Sequence, residues 1–173
     1  KSYPGGFLMF SWSGSPKTMR GRSAPFIVCD ETDGYDKSTE GHPVSLLWQR
    51  AATFGDRRKL LEISTPTIKD ASWIEAAHDQ GDQRKFYVPC PDCGEYQPLR
   101  WSNVTWDEGK PETAQYACGA CGSMWNDGHR IAAIRKGEWR TDQPFTGHVS
   151  YHLNELYSCF RKLGDIAQSF IEK

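Results

Sequence analysis

Two Cys-x-x-Cys-Gly motifs, Cys90-Pro91-Asp92-Cys93-Gly94 and Cys118-Gly119-Ala120-Cys121-Gly122, constrain this chain more than anything else in it. Each tight turn offers two sulfurs, and the loop of about two dozen residues between them lets the turns face each other, as a tetrahedral thiolate site requires. Glycine after each second cysteine suits a knuckle that bends sharply while backbone N–H groups point at sulfur. The pattern predicts a zinc site made by Cys90, Cys93, Cys118 and Cys121, with iron in the same cage as the competing metal. Two disulfides, or four reduced cysteines without a ligand role, are the alternatives. Six cysteines with four in metal spacing fit a reducing compartment, the cytoplasm, better than a disulfide framework.

At 173 residues the chain has room for one domain or two small ones with a real core. It contains no apolar run of roughly eighteen residues, so no membrane span is expected. A formal net charge of -1 gives no global electrostatic argument for nucleic acid, and any DNA contact must come from a local patch or another part of a complex. The chain opens without methionine and stops in an uncapped apolar-periodic run, as a piece of something longer would.

Ahead of the knuckles, the apolar run Phe7 to Trp12 predicts a buried strand ended by Ser13-Gly14-Ser15-Pro16. Lys17, Arg20 and Arg22 follow as a basic cluster, either a solvated face or a phosphate site. Phe26-Ile27-Val28-Cys29 then runs directly into Asp30-Glu31, a pattern for a buried parallel strand with two acids at the carboxyl end, where ligands bind in open α/β sheets. Such an Asp can hold Mg²⁺ and the adjacent Glu can act as general base on a water, although a strand ending in a solvated acidic turn reads the same way. A helix from Pro43, with Val44, Leu47, Trp48 and Ala51 on one face, leads to a second strand at Lys59 to Ile63. This crossover would bring Ser64-Thr65-Pro66-Thr67 beside Asp30 and Glu31, with hydroxyls suited to a phosphate and metal site or to capping a helix from Asp70 to His78.

Around the knuckles, a strand from Arg84 to Pro89 and further short strands near Gln97, Val104 and Ala114 describe a zinc-ribbon-like module. Trp101, Trp106, Tyr116 and Trp125 are expected to cover its small core, with stacking on single-stranded nucleic acid as the alternative. Asn126 or Asp127 should cap a helix carrying Ile131 and Ile134, with Gly137 at its C-terminal cap. A period-two strand through Val149, Tyr151 and Leu153 follows. The last stretch, with Leu163, Ile166, Ala167, Phe170 and Ile171, predicts an amphipathic helix whose apolar face needs a partner that this chain need not contain.

Taken in order, the segments GGFLMFSWSGSPKTMRGRSAPFIVCDETDGYD, GHPVSLLWQRAATFGDRRKLLEISTPT, GDQRKFYVPCPDCGEYQPLRW, YACGACGSMW, GEWR and GHVSYHLNELYS resemble the large terminase subunit of tailed bacteriophages, in the branch like the phage lambda DNA-packaging protein. The resemblance implies a P-loop-class ATPase motor followed by a metal-dependent nuclease. On it, Phe26 to Glu31 match the Walker B strand, with Asp30 holding Mg²⁺ and Glu31 activating water. Ser64, Thr65 and Thr67 match the segment that senses the γ-phosphate and couples hydrolysis to DNA movement, and Arg20 and Arg22 are candidate arginine fingers. No G-x-x-x-x-G-K-[ST] occurs in the 173 residues.

The expectation is therefore a middle fragment of α/β class: a partial P-loop-type (ASCE) parallel sheet lacking the phosphate-loop strand, then a zinc-ribbon-like β module, then a C-terminal helix. Residues 1–82 would be the later part of the motor domain, 83–126 the four-cysteine module, and 127–173 the return to the motor and the lead toward the nuclease. By the same resemblance the full-length protein would use ATP, Mg²⁺ and Zn²⁺. It would act as an oligomer with the small terminase subunit, the portal protein and double-stranded viral DNA, in the cytoplasm of an infected or lysogenic host, with no membrane partner. This chain alone is expected to be inactive. The alternative is a stand-alone zinc-ribbon module that binds nucleic acid or protein without catalysis.

Overall fold

Strands β3 (Phe26–Asp30) and β4 (Lys59–Ile63) run parallel, in register from Phe26 opposite Lys59 to Asp30 opposite Ile63. They belong to the first of two units, Lys1–Ala77 and His78–Lys173, in a computed structural model that describes residues 1–15, 18, 23–36, 39 and 41–172. The fold is mixed α/β, with both parallel and antiparallel pairing.

In the first unit, β1 (Ser2–Tyr3) and β2 (Gly6–Phe7) form a minimal antiparallel hairpin. The connection from β3 to β4 carries helix α1 (Pro43–Arg50), which starts with proline at its first position and buries Pro43 and Val44. Helix α2 (Trp73–Asp79) follows β4. It begins later than the periodicity suggests because Asp70 is left-handed, at φ 63°, and Ser72 is the cap. The Ser72 hydroxyl accepts the Glu75 amide at 3.1 Å while the Glu75 carboxylate accepts the Asp70 amide at 3.1 Å, so helical pairing starts only after Ser72.

Two burial expectations fail in this unit. The Phe7 to Trp12 run is not a buried strand: pairing ends at Phe7, and Phe7, Leu8, Phe10 and Trp12 are all exposed, since a two-residue hairpin offers no sheet face to pack on. Strand β3 is parallel as expected but covered on one side only. Cys29 is buried, whereas Phe26 and Val28, two apart and so on the opposite face, are 69% and 66% exposed together with Leu61 and Ile63 of β4.

The second unit centres on β5 (Arg84–Pro89), which pairs antiparallel with β6 (Tyr96–Pro98). A three-stranded antiparallel sheet, β7 (Val104–Asp107), β8 (Lys110–Ala117) and β9 (Met124–Trp125), lies beyond the first knuckle. Its β7–β8 turn needs the left-handed conformation that Gly109 adopts at φ 72°. Helix α3 (Asp127–Ile134) is capped by Asn126, whose side chain accepts the His129 amide at 3.0 Å. Strand β10 (Glu138–Arg140) pairs antiparallel with β5, and β11 (Tyr151–His152), shorter than the expected period-two strand, pairs parallel with it. Helix α4 (Leu163–Ile171) ends the chain.

Val88, Tyr116, Trp125, Leu163 and Ala167 have no exposed surface, and Trp101 and Trp106 pack half-buried against this core. The α4 helix therefore finds a partner in the chain: it packs on β8, and the Phe170 ring lies 4.7 Å from that of Trp101. Gly137 is not a left-handed helix cap. Its role is close approach, because a Cβ there would run into the Phe86 ring and stand 2.9 Å from the Tyr87 carbonyl. Among the described residues no helix is long and apolar enough to cross a membrane.

Candidate metal centre and acidic edge

The two knuckles are built alike. In each, the first cysteine's carbonyl accepts the amide of the closing glycine, Gly94 to Cys90 at 2.9 Å and Gly122 to Cys118 at 3.0 Å. Both glycines have φ 75°, the conformation that the missing Cβ permits. The first cysteine's own amide bonds the residue beyond the turn, Cys90 to the Glu95 carbonyl at 2.9 Å and Cys118 to the Ser123 carbonyl at 2.8 Å. Second-cysteine amides then point back at the first sulfur, each at 3.5 Å.

This geometry brings all four sulfurs within 4.8 Å of one another. Cys90 and Cys121 lie 3.8 Å apart and Cys93 and Cys118 3.9 Å apart. A tetrahedral ion with metal–sulfur bonds of about 2.3 Å sets its ligands about 3.8 Å apart, so the cage has the right size for such an ion. Two neighbours tie the sulfurs down. The Gln97 amide nitrogen donates to Cys118 Sγ at 3.0 Å while its oxygen accepts the Gly119 amide at 2.8 Å. Ser123 Oγ sits 3.5 Å from Cys90 Sγ and takes the Trp125 indole N–H at 3.2 Å.

Burial works against ionisation of Cys90, but the Cys93 amide and then the Ser123 hydroxyl outweigh it and lower its thiol to about 6. Ser123, through hydroxyl and amide, also lowers Cys121. The Glu95 amide favours a thiolate at Cys93, yet burial and the three neighbouring sulfurs push that thiol up to about 12. Four sulfurs this close cannot all carry charge unless a cation sits among them. These cysteines could hold a metal.

In the first unit, Asp30 ends β3 and is exposed. Glu31 is exposed too, in the left-handed conformation at φ 56°, ψ 46°, which costs a residue with a Cβ about 1–2 kcal/mol. The parallel register sets the residue after Ile63 beside the residue after Asp30, and the Asp33 amide donates to Ser64 Oγ at 3.1 Å. Asp33 is the group that sequence reading missed. One of its oxygens accepts the Thr67 amide and hydroxyl, both at 2.8 Å, and the other accepts the Ser72 hydroxyl at 2.9 Å and the Ile74 amide at 2.8 Å. Burial opposes its ionisation, but these donors, led by the Ile74 amide, lower its carboxyl to about 2. Beside it Thr32 is fully buried.

The structure thus brings Ser64 and Thr67 onto Asp33, immediately after Asp30 and Glu31, and leaves Thr65 exposed. The Thr67 hydroxyl is committed to Asp33 in this conformation. Arg20 and Arg22 lie outside the described residues. The exposed carboxylates of Asp30 and Glu31 are hard donors of the type Mg²⁺ takes, and the sequence carries no G-x-x-x-x-G-K-[ST] motif to accompany them.

A family model described as phage terminase large subunit gpA, ATPase domain, matches residues 1–139. The chain is 34% identical over 118 residues to the large terminase subunit of Enterobacteria phage P21, an alignment that covers 59% of this chain and 17% of that protein. No solved structure matches it.

Proposed function

Because the chain belongs to the family of phage terminase large subunit ATPase domains, we propose that it is part of an ATP-driven motor that packages viral DNA. The observation that carries this reading is the parallel β3–β4 pair, which sets the Ser64 to Thr67 segment beside Asp30 and Glu31. ATP and Mg²⁺ use follow from the family. Asp30 is the acid that holds Mg²⁺, and Glu31 takes the proton of the attacking water. Ser64, Thr65 and Thr67 sense the γ-phosphate, and Asp33 holds their loop in register with the acids. Arg20 and Arg22 stand as arginine-finger candidates.

The four cysteines hold a structural Zn²⁺, a reading supported by sulfur spacings that suit its bond length. In this reading the sheet is of the ASCE type. Residues 1–82 belong to the motor, 83–126 form the zinc-ribbon-like module, and 127–173 lead back to the motor and on toward an endonuclease. The partners are the small terminase subunit, the portal protein and double-stranded viral DNA, in an oligomeric assembly in the cytoplasm of the bacterial host.

Magnesium-dependent ATP turnover by the full-length protein should be abolished by Glu31→Gln, and the 173-residue chain alone should show none. Turnover that survives Glu31→Gln would remove Glu31 from the mechanism. For the metal, about one zinc per chain and well below that in Cys93→Ser is the expected assay; equal content in both would refute the cage.

A further inference from the structure

A cleft of about 310 Å³ opens in the unit His78–Lys173, walled by Lys85 of β5, Arg100 and Trp101 beyond β6, His152 of β11, and Asn154 and Tyr157. No aspartate or glutamate lines it. Arg84, Arg130, Arg140 and Arg161 of the same unit each pair with a carboxylate, on Asp82, Asp127, Glu138 and Glu155. Lys85 and Arg100 have no such partner among the described residues. Two cations without a carboxylate partner, lining one concavity, raise the local potential for an anion.

The floor of the cleft is already satisfied and fixed. The Tyr157 hydroxyl donates to the Phe86 carbonyl at 2.6 Å and accepts the Leu99 amide at 2.7 Å. Asn154 donates to the Leu99 carbonyl at 2.8 Å, and the Arg100 amide donates to the Tyr116 hydroxyl at 3.2 Å. An acidic peptide docking here would look for backbone partners and find them used, whereas a phosphate needs only the cations. Burial first, then His78 and Lys85, hold His152 below its ordinary value, which leaves it a neutral hydrogen-bonding group at the rim.

We propose that this cleft receives a phosphate of a nucleic-acid strand, neutralised by Lys85 and Arg100, with the Trp101 ring as an adjoining surface for sugar or base. The choice of a strand rests on the DNA-motor reading above; the anion site itself rests on the cleft.

The test is binding of the zinc-loaded 173-residue chain to a labelled DNA duplex and to a single-stranded oligonucleotide, by anisotropy over a range of salt. Lys85→Gln with Arg100→Gln should weaken binding about tenfold near 0.1 M salt. It should also flatten the slope of log K against log salt by about 0.9 on duplex or about 0.7 on single strand, the share of the one phosphate that the two cations neutralise. Lys85→Arg with Arg100→Lys should keep the slope, and Arg135→Gln, on an exposed residue outside the cleft, should change nothing. If the double variant loses zinc, the single variants decide, each flattening the duplex slope by about half as much as the pair.

Unchanged affinity and slope in a zinc-retaining double variant overturn the proposal, as does a wild-type chain that binds neither DNA. Inorganic phosphate or ATP binding that the double variant loses while DNA binding persists overturns the strand. None of these outcomes touches Glu31-dependent ATP turnover, so the motor reading is judged separately.

Discussion

The Asp33 carboxylate takes both donors of Thr67, amide and hydroxyl, on a single oxygen at 2.8 Å each. With Ser72 and Ile74 on its other oxygen, one side chain joins the end of β3, the loop after β4 and the start of α2. Its carboxyl, lowered to about 2, lies below the unfolded value of about 3.9, so its contribution is complete above about pH 4 and fades as pH falls through 2. The group is half-buried, and solvent screening reduces that contribution to about 1 kcal/mol. Asp33→Asn should therefore be less stable than wild type at pH 7 in urea titrations, with the difference shrinking from pH 5 toward pH 2.5. A difference that stays constant across that range would show the charge to be irrelevant.

Gln97 holds Cys118 Sγ with one end of its amide and the Gly119 backbone with the other. It orients one of the four clustered sulfurs and supplies a donor to a thiolate there. Outer partners of this kind are worth about 10–100-fold in metal affinity. Gln97→Ala should lose zinc to a chelator at concentrations the wild type withstands, while Co²⁺ substitution keeps its sulfur-to-metal band. Gln97→Glu, which replaces the donor with a negative charge, should be worse. Equal chelator resistance in all three would mark Gln97 as a bystander.

Arg130 is buried without exposed surface and donates to the carbonyls of Leu156 at 2.5 Å, Ser158 at 2.8 Å and Arg161 at 2.7 Å, besides pairing with Asp127. Asp127 in turn accepts the Leu163 amide at 3.1 Å, so the pair fastens the irregular segment ahead of α4 to α3. Removing one member of a fully buried pair costs about 3–5 kcal/mol, and because the Asp127 side chain is 33% exposed the cost here falls to about 2–3 kcal/mol. Arg130→Ala should lower the unfolding free energy by that order and speed amide exchange from Leu156 to Leu163. Exchange that speeds everywhere equally would assign the residue a general rather than local role.

What could be read in advance follows from the range of each interaction. The knuckles are written within five residues each, so Cys90, Cys93, Cys118 and Cys121 were legible together with their closing glycines. The parallel β3–β4 pair was legible because its apolar runs and the helix between them are local patterns. Asp33 was not: its partners lie more than thirty residues away, and nothing nearby marks it apart from Asp30 or Asp36. Nothing within the helix around Arg130 marks its burial either, because the three carbonyls that accept from it belong to residues 26 to 31 positions further on. The Phe7 to Trp12 run misled for the opposite reason, since hydrophobicity says that a segment can be buried but not that anything covers it.

In each knuckle the first sulfur is buried and the second exposed: Cys90 and Cys118 inside, Cys93 and Cys121 outside. An oxidant or alkylating reagent that reaches an emptied cage meets the second cysteine of each motif first. Across the cage each has a sulfur of the other motif close by, Cys118 at 3.9 Å from Cys93 and Cys90 at 3.8 Å from Cys121. Oxidation along those pairs would stitch one knuckle to the other and close the loop that a bound ion would close, so thiol damage at this site would lock the two turns together instead of releasing them.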